Sequence, residues 1–154
     1  MPDLNLFDLN KPVDLYRILQ NVYRNYIKNP TEKDFFFLTL GLTHLREWIA
    51  EKSWRDVDKK KKSGQPMTEG ERFLMEIYDL SEFKVIQNLC NKGKHFIETP
   101  HETSKASGLR VGIGKVGDSL NQNYFLINGK DSRDYFIALF HKYDEWFSNH
   151  DYQD

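Results

Sequence analysis

Apolar residues recur at helical spacing in five stretches of the chain. Leu15, Leu19, Val22 and Tyr26 step by four, three and four, which places them on one face of a first helix. Asn10 stands where a cap is expected, and Pro12 suits the first turn. On the other side Arg17, Asn21, Arg24 and Lys28 read as a solvated face. Thr31 and Asp34 form a capping pair ahead of Phe35, Leu38, Leu42, Leu45 and Ile49, the stripe of a long helix expected to be central. Thr68 and Glu71 repeat the capping pattern before Phe73, Leu74 and Ile77, and Ser81 opens a helix carrying Val85, Ile86 and Leu89. Asp131 or Ser132 caps a last helix, whose stripe is Phe136, Phe140, Tyr143 and Phe147.

Two intervening stretches lack this period. Asp58 to Pro66 has no apolar face, contains Lys59-Lys60-Lys61-Lys62 and ends in turn formers, which predicts an exposed lysine-rich loop over 58–66. Leu109, Val111 and Ile113 alternate, and Tyr124 to Ile127 is a second apolar run closed by Asn128-Gly129. This predicts an antiparallel β-hairpin over about 109–128. The expected fold is mainly α: a bundle of about five helices with a small antiparallel β-hairpin before the last helix, in one domain over 1–154. Gly41, inside the central helix, costs about 1 kcal/mol relative to alanine and marks a close approach by another element.

Length and charge narrow the function classes. At 154 residues and 39% hydrophobic content the chain can build one well-buried core but not two ordinary domains. A formal charge of −1 gives no global attraction to phosphate backbones, so any nucleic-acid binding has to come from a local basic patch. A single cysteine, Cys90, cannot form an intramolecular disulfide, and Met1-Pro2-Asp3-Leu4-Asn5 does not have the basic start and apolar core of a signal peptide. No apolar run approaches the ~18 residues that would span a bilayer. The expected setting is cytoplasmic, without a membrane.

Several chemical motifs are weak. Gly112-Ile113-Gly114-Lys115-Val116-Gly117 matches Gly-x-Gly-x-x-Gly, but it leads into a strand pattern rather than the helix whose amides would hold a pyrophosphate. Glycines that allow a hairpin to bulge or twist account for it better. His44, His95 and His141 fall on three expected helices, yet no Glu-x-x-His or His-Glu-x-x-His pair fixes two ligands on one helix. We therefore expect no metal and no cofactor. His44, one turn from Leu40 and Trp48, reads as a satisfied, partly buried histidine, and Cys90 as a core thiol.

The strongest functional pattern closes the helix that opens at Ser81. Lys84, Asn88, Asn91 and His95 follow at steps of four, three and four and share one face, away from Val85, Ile86 and Leu89. With Lys92 and Lys94 they form a polar ridge ending in a histidine, a candidate surface for RNA or a nucleotide. A purely structural explanation stands beside it: Lys92, Lys94 and His95 complement the helix dipole while Gly93 ends the helix.

A helical bundle with Asn-x-x-x-His at the end of one helix resembles the HEPN superfamily, most specifically over residues 81–97. Catalytic members carry an arginine followed after four to six residues by a histidine. The resemblance implies metal-independent action on RNA, often across a homodimer interface, with inactive members serving as RNA- or nucleotide-binding modules. In this chain the arginine positions allowed by His95 are Cys90, Leu89 and Asn88, and none is arginine. An asparagine amide cannot supply the bidentate charge that an arginine offers a transition-state phosphate, although His95 is suited to proton transfer near neutral pH. The expected function is thus a non-catalytic or weakly catalytic module that binds RNA, a nucleotide or a protein partner. Lys84, Asn88, Asn91, Lys92 and Lys94 are its contact residues and His95 is the candidate catalytic group. Alternatives are a structural or interaction protein of a phage or mobile-element kind, a metal-independent RNase, and a metal-dependent bundle enzyme.

Overall fold

In the computed structural model, which describes residues 6–108 and 112–152, six helices and a small sheet enclose a main core and a second, smaller apolar cluster of Ala50, Val57 and Leu74. Helix α1 spans Pro12–Lys28, α2 Glu32–Ala50, α3 Trp54–Lys62, α4 Glu69–Ile77, α5 Ser81–His95 and α6 Ser132–Asn149. Strands β1 (Thr103–Ser107), β2 (Asn123–Ile127) and β3 (Lys130–Asp131) form an antiparallel sheet in the order β1-β2-β3.

The caps show why these helices start where they do. Thr31, Thr68 and Asp131 each accept a hydrogen bond from a first-turn amide: Asp34 at 3.2 Å, Glu71 at 3.2 Å and Arg133 at 2.9 Å. At α1 the cap position belongs to Lys11 rather than Asn10, and Pro12 is the first helical residue. Asp14 reaches back to accept from the backbone amides of both Asn10 and Lys11, at 3.1 and 2.9 Å, so a first-turn carboxylate supplies what a capping side chain would.

Helix α2 is central and packs against α1, α4 and α5. Leu38, Leu42 and Leu45 are fully buried with Leu19, Phe83, Ile86, Phe136, Leu139 and Tyr143, while Phe35 and Phe147 pack half-buried against this core. The Tyr143 hydroxyl donates to the Leu42 carbonyl at 2.5 Å, tying α6 to α2 across the core. At Gly41 an added Cβ would lie 2.3 Å from Leu19 Cδ2, so the missing side chain sets the α1–α2 approach. The sheet joins through an aromatic cluster in which Phe125 of β2 meets Tyr26 and Phe35, with ring centroids 6.0 and 6.3 Å apart.

Two expected elements also change. The lysine run is not a loop: Ser53 caps α3, and Lys59 to Lys62 form its last turn, where cations complement the helix dipole. Lys60 also leaves the solvent face to pair with the buried Glu71 at 2.9 Å. Amphipathic periodicity misses such a helix because only Val57 of its nine residues is buried. The first strand likewise comes earlier than expected. Thr103–Ser107 pairs with Asn123–Ile127, from Thr103 opposite Ile127 to Ser107 opposite Asn123, whereas Leu109 and Val111 fall outside the described residues and Ile113 sits in a turn. β1 is almost wholly exposed, so no alternation marks it. Asn128 and Gly129, at φ 53° and 77°, make the tight turn from β2 into β3.

Candidate functional site

The candidate site is the exposed side of α5 and the segment that follows it. Phe83, Ile86, Leu89 and Cys90 bury one face of the helix, which turns Lys84, Asn88, Lys92, Lys94 and His95 outward, with Asn91 half-buried at the boundary. The helix does not stop at Gly93. It runs through to His95, and Phe96 takes the left-handed conformation at φ 53°, its amide donating to the Lys92 carbonyl at 2.8 Å. Gly93 serves packing instead: an added Cβ would lie 2.5 Å from Cε2 of Phe36 on α2.

A histidine outside the sequence pattern completes the surface. His101 lies between Asn88 and Asn128: the Asn88 Nδ2 is 3.3 Å from its Nε2, and the Asn128 Nδ2 is 3.1 Å from its Nδ1. The Asn128 Oδ1 already accepts the Glu102 amide at 3.0 Å, so its Nδ2 donates to the ring. The Asn88 side-chain amide faces the other ring nitrogen, so that His101 bridges Asn88 and Asn128. Asn88 thereby anchors the hairpin end of the sheet to α5. Only the position of His101, six residues past His95 in a polar loop, hinted at this role.

The remaining ridge residues are not engaged in this way. Among the described residues Lys84, Lys92 and Lys94 have no ion pair, and His95 has no hydrogen-bond partner. The Lys84 ammonium lies over the Tyr78 ring, 5.2 Å from its centroid, a cation–π contact that leaves its charge available. No carboxylate or second histidine is paired with His95, so the arrangement offers cationic contacts and a solvent-accessible imidazole rather than an assembled acid–base pair.

The histidines considered together for a metal lie apart in role. His44 Nδ1 is 2.7 Å from Glu47 Oε1, and the Cys90 thiol together with Glu47 pushes its pKa up to about 9. Glu47 is held below the usual carboxylate range by His44, and its Oε2 accepts the Trp54 amide at 2.8 Å. His141 is exposed on α6. Among the described residues no group of three or more His, Cys, Asp or Glu side chains comes together as a metal set, and no helix is long and apolar enough to cross a membrane.

The Gly112–Gly117 motif forms turns between β1 and β2 and opens no helix. It is fixed by Asp118, whose carboxylate accepts the Lys115 amide at 2.7 Å and faces the Arg133 guanidinium. The fold and site together define a mainly helical domain with a cationic helix end. Compared with known proteins, the chain matches no family model, no curated sequence and no solved structure.

Proposed function

We propose that this chain is a binding module that engages RNA or a nucleotide through the outer face and C-terminal end of α5, in the manner of the non-catalytic proteins of the HEPN superfamily. The observation that carries the reading is that Lys84, Lys92 and Lys94 are exposed on α5 and, among the described residues, free of protein counter-ions, with an exposed His95 imidazole at the same helix end. Cations of this kind release counterions from a phosphate backbone without paying to break an internal salt bridge. The neutral amides of Asn88 and Asn91 add hydrogen-bonding groups between them. With no arginine at Asn88, Leu89 or Cys90, tight phosphate binding is favoured over stabilisation of a cleavage transition state.

A protein partner, including a second copy of the chain, is the second reading, and it rests on the apolar residues that flank this end. Phe96 is 99% exposed and Ile97 50% exposed, next to the half-exposed Phe36, a concentration of apolar surface that suits association. Fluorescence anisotropy with a labelled single-stranded RNA, comparing the wild type with Lys84→Glu, tests the first reading. Charge reversal should weaken binding by about tenfold, and undiminished affinity would remove RNA from the proposal. Sedimentation of the wild type and Phe96→Ser tests the second.

A further inference from the structure

Helix α2 carries a buried arginine that has no counter-ion among the described residues. Arg46 is 2% exposed, and among the described residues its one hydrogen bond runs from Nη1 to the Leu74 carbonyl at 3.1 Å. The Phe83 ring covers the guanidinium, 4.7 Å from its carbon, with Tyr78 at 6.0 Å. Among the described residues no carboxylate lies within ion-pairing distance, and Nε is buried with no partner there. Elsewhere this chain treats a buried guanidinium quite differently: Arg133 spends every nitrogen on Asp118 and Asp131. Buried arginines are ordinarily paired, because stripping water from an uncompensated cation is costly.

Among the described residues only Nη1 of the Arg46 guanidinium is spent on the protein. Nε is closed off from solvent, which leaves Nη2 as the donor that a carboxylate or phosphate oxygen can reach. Arg46 also lines a cavity of about 540 Å³ between α2, α3 and α4. Its walls are Trp54, Met67, Met75 and Tyr78, flat and adaptable apolar surfaces suited to a ring. Arg72 and Lys61 add positive charge, although Arg72 is turned by its bond to the Met67 carbonyl at 2.8 Å.

We infer that this cavity binds a small organic oxyanion, a carboxylate or phosphate monoester on a flat apolar body, with its anionic group on Nη2 of Arg46. The rim limits the charge of that ligand. Asp58, already held by Lys62 at 2.7 Å, lines the cavity with Glu76 and Asp79. These acids repel a polyphosphate or a nucleic-acid backbone at the mouth, while an interaction at the buried guanidinium is far less screened by water. The site is separate from the Lys92–Lys94 end of α5, and the proposal stands without RNA binding there.

The test is a titration of the wild-type protein with phenyl phosphate, benzoate and inorganic phosphate, following the Nε–Hε resonance of Arg46 by NMR. Phenyl phosphate or benzoate should shift that resonance saturably, and the better of the two should bind at least about tenfold more tightly than inorganic phosphate. Met67→Trp, which fills the cavity from a loop position, should abolish the shift while thermal melting shows the fold intact. Arg46→Lys keeps the charge but loses the planar guanidinium and its reach, and should weaken binding by about tenfold. Because the wild-type resonance reports directly, a misfolded Arg46 variant does not decide the matter. No saturable shift with either ring compound, a shift that persists unchanged in Met67→Trp, or equal affinity for inorganic and phenyl phosphate would each overturn the proposal.

Discussion

Arg133 grips both carboxylate oxygens of Asp118, Nη1 to Oδ1 at 2.8 Å and Nη2 to Oδ2 at 3.0 Å, while its Nε and Nη2 hold Asp131. One guanidinium thus fastens the glycine-bearing turns to the residue that caps α6. The side chains are only 9% and 5% exposed, so Arg133→Met strands two buried carboxylates and should cost about 3–5 kcal/mol in chemical denaturation.

The same pair sets an acid dependence. Arg133 holds the Asp118 carboxyl well below the usual range, so its contribution is present above the ordinary aspartate value and is lost as pH falls toward the lowered folded value. Asp118→Asn lacks that titration. The stability gap between wild type and Asp118→Asn should narrow steadily on acidification below about pH 4, and a gap that widens there would contradict the assignment.

His44 sets a dependence of opposite sign. Its pKa is pushed up to about 9 by the Cys90 thiol and Glu47. The protonated ring therefore stabilises the fold fully below the ordinary histidine value of about 6.5, and this stabilisation is lost as pH rises through the folded value. Thermal melting of wild type and His44→Gln should differ most near about pH 6 and converge by about pH 10.

Packing around α2 makes the core testable. Leu42 is completely buried, and Leu42→Ala should cost about 2–5 kcal/mol, against about ±0.5 kcal/mol for the exposed Lys61→Ala. Gly41→Ala forces a methyl to within 2.3 Å of Leu19 Cδ2. Overpacking of about 1–3 kcal/mol should outweigh the gain of about 1 kcal/mol in helix propensity, so urea denaturation should show a net loss of stability.

What the sequence displayed depended on how strongly each element is amphipathic. The stripes of α1, α2 and α6 and the caps at Thr31, Thr68 and Asp131 are readable because burial and capping select residue types at fixed spacing. Helix α3 and strand β1 were not, since one buries a single residue and the other none. At the candidate site the outward face of α5, running on to His95, followed from its period, while the alternative end at Gly93 fails because the glycine answers to Phe36 on another helix. Beyond its position in the loop after His95, nothing marked His101: its partners, Asn88 and Asn128, are thirteen and twenty-seven residues away and meet it only through the folding of the sheet onto α5.

The salt dependence of RNA binding addresses the α5 surface most directly. The logarithm of affinity for single-stranded RNA should fall linearly with the logarithm of salt concentration, and Lys92→Ala/Lys94→Ala should both weaken binding and reduce the slope by about 1.4, the value for two lost phosphate contacts. His95→Ala should leave that slope nearly unchanged, because the lysines carry the backbone attraction. An affinity and slope identical in wild type and the double lysine variant would contradict phosphate recognition by the end of α5 and leave its lysines as complements to the helix dipole.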